Sequence, residues 1–229
     1  MISAAAVAKP VYRPVAYASF RRSSAVYHSV TADLSSKRVQ AKTIHVDGLT
    51  SPWSLVSLVQ PAAAITGTFF APGIGTPVAD VLIEGELVAK GNRGSALAVD
   101  YLGNVSIIDR PYLRAVDWEG YRFGLRGAVR LISNGKVNPN PKAQRFRDPR
   151  IWGSASRTGV GITSAGKLVL MATPNNVTLS QFGNAMRSRG VVDAVSLDGG
   201  GSTCLYYRGT MVVPTGRGLS NMFVVQEAP

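Results

Sequence analysis

Cysteine is nearly absent from this sequence. The 229-residue chain has only Cys204, which excludes an intramolecular disulfide and leaves stability to the packed core. A lone cysteine reads as a small packed hydrophobe rather than a nucleophile. Acidic residues are also scarce, with 13 Asp and Glu against 25 Lys and Arg and a formal charge of +12. That imbalance excludes a self-neutralised surface and implies a field that attracts polyanions such as nucleic acid, anionic membranes or phosphorylated glycans. The two histidines, His28 and His45, fall in strand-like segments. No His/Cys cluster has metal-ligand spacing, so no metal and no cofactor is called for. No apolar run approaches the roughly 18 residues of a membrane span, and no transmembrane segment is expected. Apolar residues make up 45% and charged residues 17%, a balance that argues against disorder.

What is abundant is glycine, 24 residues, together with 13 prolines. Many turns imply a strand-rich fold rather than a helix bundle. Residues 1–25 lack periodicity and are expected to be a poorly ordered lead-in, with Met1 to Lys9 a loose terminus rather than the tail of a signal peptide. Residues 26–229 are expected to form a single domain of α+β class, a mostly antiparallel mixed sheet built from hairpins with a few helices. Turns at Glu84-Gly85, Asp100 to Asn104, Asn134-Gly135, Ser164 to Lys167 and Arg208-Gly209 separate β-like runs. Helices are predicted after Ser51-Pro52 and over Thr178 to Arg189, the latter stopped by Gly190. The stretch 137–156, rich in Pro, Asn and Arg, reads as a long basic loop.

The chemistry concentrates where the apolar strand Ala194-Val195-Ser196-Leu197 stops at Asp198-Gly199-Gly200-Gly201-Ser202-Thr203. A carboxylate at a strand's C-terminal end is projected from the sheet. Successive glycines let backbone N–H groups approach an anion, and Ser202 and Thr203 add hydroxyl donors. The alternative is a tight turn with a solvent-facing Asp. Arg157-Thr158, and Arg217 ahead of Ser220-Asn221, read either as planar forks for phosphate or as ordinary surface arginines. Ile65-Thr66-Gly67-Thr68-Phe69-Phe70 ends a strand at a glycine and an aromatic pair; the two rings read as core.

In this order the segments resemble the phosphodiester glycosidase family, which includes many exopolysaccharide-related bacterial proteins. The likeness runs from about Val26 to Val225 and is carried by Asp198 to Thr203, Arg157 to Ile162, Gly166-Lys167-Leu168, and Gly209, Pro214, Arg217 and Ser220-Asn221. Thr66 stands where such proteins usually have asparagine. The resemblance implies hydrolysis of a sugar-1-phosphodiester in a phosphorylated glycan or cell-envelope polymer. Asp198 would serve as base for water or as partner to a developing oxocarbenium, and Arg157 and Arg217 would clamp the phosphate. Thr66, Gly67, Thr158, Gly199, Gly200, Gly201, Ser202, Thr203 and Asn221 would bind substrate. Glycosidases commonly use a second carboxylate, for which Asp80, Glu84 and Glu86 are candidates. The rival reading is a non-catalytic domain that holds cell-envelope polyanion or nucleic acid. Nucleic acid is not favoured, because no aromatic-basic or helix-turn-helix pattern is present. No motif speaks to oligomeric state or export.

Overall fold

The computed structural model describes residues 12–228, and among them are sixteen strands and three helices. Strands β1 (Val15–Arg22), β2 (Ala25–Ala32) and β3 (Val39–Thr50) lead into helix α1 (Pro52–Val59) and strand β4 (Ala63–Thr66). Two hairpins follow, β5 (Val81–Ile83) with β6 (Glu86–Ala89) and β7 (Ser95–Asp100) with β8 (Val105–Ile108). The long β9 (Tyr121–Ser133) turns into the short β10 (Lys136–Val137), and helix α2 (Pro149–Trp152) precedes β11 (Ala155–Thr163) and β12 (Leu168–Val177). Helix α3 (Leu179–Arg187) delivers β13 (Val191–Ser196). A 3-10 turn, Gly200–Ser202, then leads to β14 (Leu205–Tyr207), β15 (Thr210–Val213) and β16 (Leu219–Glu227).

Strand pairing divides these elements into two sheets. The larger has 11 strands along the path β1-β2-β12-β11-β13-β9-β5-β6, with β7, β8 and β10 joined through β9; the smaller has 5, in the order β15-β14-β4-β16-β3. Every paired strand is antiparallel, so the expected mixed sheet is two antiparallel ones. With 49% strand and 11% helix, the chain is mostly β.

Side-chain alternation explains the layering. On β12, Leu168, Leu170 and Ala172 enter a core shared with the smaller sheet, whereas Val169 and Met171 pack in a second cluster under α3. On β16, Phe223 and Val225 face that shared core, whereas Met222 and Val224 pack with Leu55 and Val56 of α1. Successive residues point to opposite faces, and both faces are covered, so these strands read as continuous apolar runs. The order is helix, sheet, sheet, helix.

Local signals fix both longer helices. Ser51 caps α1, accepting from Ser54 N at 3.0 Å, with Pro52 in the first turn. Thr178 and Gln181 form a capping box at α3. That helix buries Leu179, Phe182, Ala185 and Met186.

Two expectations are corrected. Residues 15–22, read as lead-in, form β1, paired with β2 from Val15↔Ala32 to Arg22↔Ala25. Its anchoring is non-local: Tyr17 stacks on Tyr207 of the smaller sheet at 5.6 Å and its hydroxyl meets His28 Nδ1 at 2.8 Å. Residues 1–11, including the Met1 to Lys9 segment, lie outside the described residues. The stretch 137–156 is not structureless, because Asp148 caps α2 by accepting from Arg150 N at 2.9 Å.

Phe182 is fully buried, its ring 6.3 Å from that of Tyr27. Phe182→Ala should therefore cost about 3–5 kcal/mol in urea unfolding monitored by circular dichroism. A loss below about 1 kcal/mol would show that α3 does not anchor this layer.

Candidate active site

The pairing of β13 with β11 and β9 ends at Ser196, and the chain then leaves the larger sheet for the smaller. Leu197 N still donates to Thr158 O at 3.1 Å, but Asp198 N donates to Gly67 O, also at 3.1 Å. The backbone of Asp198 thus lies at the junction of the sheets. Gly67 is required there, since a Cβ would stand 2.0 Å from Asn221 Oδ1. That oxygen accepts from Thr68 N at 2.7 Å, and Asn221 Nδ2 donates to Thr68 O at 3.3 Å.

The turn after Asp198 is held at its carbonyls. Thr158 Oγ1 donates to Asp198 O at 2.6 Å and Ser156 Oγ to Gly200 O at 2.9 Å. Thr215 Oγ1 donates to Gly201 O at 2.6 Å, and Thr66 Oγ1 donates to Ser202 O. Gly199 O accepts from Ser202 N at 3.1 Å. With the carbonyls engaged, the N–H groups of Gly200 and Gly201 donate to no protein acceptor among the described residues, and both glycines are exposed. Adjacent free amides form an anion-receptive concavity. Gly199 leaves no room for a side chain, whose Cβ would meet Ser156 O at 2.7 Å, and Gly200 has a φ of +57°.

This turn borders a cavity of about 700 Å³, lined by Asp198 to Gly201, Arg157, Arg217, Phe69, Phe70, Asp148 and Arg150 among others. Loss of water pushes the Asp198 carboxyl up to about 6. The nearby Ser202 hydroxyl, the Arg217 charge, the Gly199 amide and the Arg150 charge pull it partly back. By strict geometry Ser202 Oγ is buried without a hydrogen-bond partner, so its effect is that of a nearby dipole rather than a short bond. The Arg217 guanidinium lies over the Phe70 ring, 5.1 Å from its centre.

Arg157 is placed differently from expectation. It lines the cavity but is 5% exposed; Nε donates to Val177 O at 3.2 Å, and Nη2 reaches the carbonyls of Arg150, Ile151 and Gly153. It therefore caps the carbonyl end of α2, and only Nη1 remains unengaged among the described residues. Burial lowers its pKa to about 10, so it stays charged at neutral pH.

Of the residues singled out in the sequence, Asp198, Arg157, Arg217, Gly199, Gly200 and Gly201 come together around the cavity. Thr66, Gly67, Thr158, Ser202, Thr203 and Asn221 do not line it. They are buried behind the turn and brace it, Thr203 through Ser156 Oγ at 3.2 Å. Nor do the expected second carboxylates: Asp80 accepts from Trp118 Nε1 at 3.1 Å, Glu84 pairs with Arg122, and Glu86 lies exposed on β6. The second carboxylate on the cavity is Asp148, held below the usual range by the hydrogen bonds of Arg150. The signal that could have found it is Asp148-Pro149, a cap residue followed by proline at the first helical position. Phe70, read as core, is core and cavity wall at once. Cys204 is buried and its thiol is pushed up to about 12, which leaves it inert.

The raised pKa of Asp198 makes a stability prediction. Its ordinary value is 3.8 and its folded value about 6. Between these the folded state holds the proton more tightly, so this group's contribution to stability falls as pH rises through the window. Asp198→Asn, which cannot ionise, should exceed the wild type above pH 6 by on the order of 2 kcal/mol, the gap closing toward pH 4. Denaturant titrations across that range check it, and a pH-independent gap would contradict the burial of this charge.

Known proteins sharpen the reading. The phosphodiester glycosidase family model matches residues 60–226. A mouse N-acetylglucosamine-1-phosphodiester alpha-N-acetylglucosaminidase is 26% identical over 174 residues, covering 65% of this chain and 32% of the mouse protein. The chain thus matches only about a third of that relative's length. Among solved structures, the catalytic domain of the zebrafish N-acetylglucosamine-1-phosphodiester alpha-N-acetylglucosaminidase, auto-inhibited by its pro-peptide, superposes with a TM-score of 0.75 at 16% identity. That match covers 93% of this chain and 82% of the zebrafish one. A hypothetical protein from Synechocystis follows with a TM-score of 0.68 at 14% identity, covering 92% of this chain and 61% of its own. The matched residues run from just before β4 into β16 and contain Asp198, its glycine turn and Arg217, so the chain belongs to the phosphodiester glycosidase family.

Proposed function

We propose that this chain hydrolyses a sugar-1-phosphodiester in a phosphorylated glycan or cell-envelope polymer such as an exopolysaccharide. It would release free sugar and leave a phosphomonoester on the acceptor. The observation that carries this reading is one cavity holding a desolvated carboxylate, a guanidinium on an aromatic face and two adjacent free amides.

The chemistry follows from the leaving group. Water attacks the anomeric carbon, the bond from that carbon to the phosphate oxygen breaks, and the phosphomonoester leaves with the electron pair. An anion of that kind needs charge stabilisation more than proton donation, and preorganised donors supply it without reorganisation. Arg217 and the N–H groups of Gly200 and Gly201 would supply them, with Arg150 and Nη1 of Arg157 as further positive charge. Asp198, ionised at neutral pH, takes the proton of the attacking water or offsets the developing oxocarbenium. Its pKa near 6 makes it a stronger base than an ordinary aspartate while keeping it deprotonated in neutral solution.

Incubation with the methyl phosphodiester of N-acetylglucosamine-1-phosphate should release free sugar. Asp198→Asn should lower kcat by about a hundredfold or more, and Arg217→Ala by a similar factor. Free sugar at wild-type rates from Asp198→Asn would remove Asp198 from the chemistry, and equal, salt-sensitive binding by both proteins without turnover would select the binding-domain reading. Because the working form of Asp198 is the ionised one, kcat/KM of the wild type should rise with pH and level off above about 6. A profile that falls across that range would give Asp198 the opposite role.

A further inference from the structure

A second cavity, of about 470 Å³, adjoins the first and shares Phe69, Asp148 and Ile151 with it. Its charged lining is lopsided: Lys90, Arg93 and Arg147 face one carboxylate, Asp148, which Arg150 already engages. Lys90, Arg93 and Arg147 make no ion pair among the described residues.

The loop that presents two of these cations, residues 90–94 between β6 and β7, is fixed from beneath by buried charge. Asp80, 4% exposed, accepts from Gly91 N at 2.5 Å, and the fully buried Arg126 donates through Nε to Gly94 O at 3.3 Å. Two nitrogens of Arg126, Nη1 and Nη2, have no partner among the described residues, an arrangement that costs folding energy. Arg93 is placed further by its Nη1 bond to Arg145 O at 3.1 Å and by Tyr112, whose ring centre lies 5.6 Å from the guanidinium carbon. A surface loop needs none of this for solubility. Rigid placement suits cations that must meet a fixed negative charge.

We propose that this cavity is an acceptor subsite for a further phosphate of the substrate, which is a chain carrying more than one phosphate with its scissile sugar-1-phosphodiester in the first cavity. The inference rests on the hydrolytic reading above and adds what lies beyond the scissile bond. Charge on Lys90, Arg93 and Arg147 would act on binding and leave the chemistry at Asp198 untouched.

The test compares two substrates of the full chain: the methyl phosphodiester of N-acetylglucosamine-1-phosphate, and the same diester with an acceptor bearing a second phosphomonoester. The proteins are wild type, K90A/R93A and R147A, and tripolyphosphate binding is titrated in parallel, with Asp198→Asn added. Wild type should prefer the doubly phosphorylated compound. K90A/R93A should lose about tenfold in kcat/KM on it, mainly through KM, with the methyl diester unchanged. R147A should do the same to a lesser degree. Equal losses on both compounds, or none, would overturn the subsite. If neither compound releases sugar, the hydrolytic reading fails, and the titration decides alone. Tripolyphosphate affinity that drops in K90A/R93A but holds in Asp198→Asn keeps the subsite; equal affinity in all proteins removes it.

Discussion

A carboxylate kept from water beside fixed positive charge is the interaction on which this structure turns. Burial raises the pKa of Asp198, while the Ser202 hydroxyl and then the Arg217 charge pull it back. Their opposition leaves the group near 6, ionised in neutral solution yet basic. That balance depends on position, because Coulomb attraction and desolvation both change steeply over an ångström or two in a low-dielectric pocket. The carboxyl must therefore sit on rigid backbone, which explains the density of hydrogen bonds behind it.

Those bonds come from both sheets. Ser156 and Thr158 belong to β11 of the larger sheet, Thr66 to β4 of the smaller, and Thr215 to the connection between β15 and β16. The turn is complete only when the sheets are docked, and docking is driven by the core that Leu170, Val195, Ile65 and Phe223 share. Packing and chemistry are thus linked through one short segment. The same bonds orient its amides: Gly199 O is held by Ser202 N and Gly200 O by Ser156 Oγ, and these two peptide units carry the N–H groups of Gly200 and Gly201, which are left for the cavity.

Much of this was legible in the sequence where the signal is local. The helix starts at Ser51-Pro52 and near Thr178, the turn at Gly190 and the hairpin turns depend on neighbouring residues, and they stand where the sequence placed them. Strand β1 was not legible, because Tyr17 acquires its partner only when residue 207 folds back against it. The site was legible in location but not in the direction of each side chain. A hydroxyl beside a glycine motif suggests a ligand contact, yet Thr66 and Thr158 point to carbonyls behind the turn. Likewise Arg157 reads as a phosphate fork, while its surroundings are the carbonyls at the end of α2. Asp148 was hidden in a basic run whose arginines drew the reading towards an unstructured loop.

The excess of positive charge acquires a division of labour. Arg126 and Arg157 are turned inward, donating to the carbonyls of Gly94, Ile151 and Gly153. They fix the segments that carry other cations: residues 90–94 with Lys90 and Arg93, and α2 with Arg150. Guanidinium suits the inner role because it remains charged even when burial lowers its pKa, and its fork spans several carbonyls at once. An ammonium could meet neither demand as well, and both inner positions are arginine. The outer charges are then free to act at a distance on an anionic substrate. Net charge alone does not distinguish these roles; the carbonyl partners of the inner arginines do.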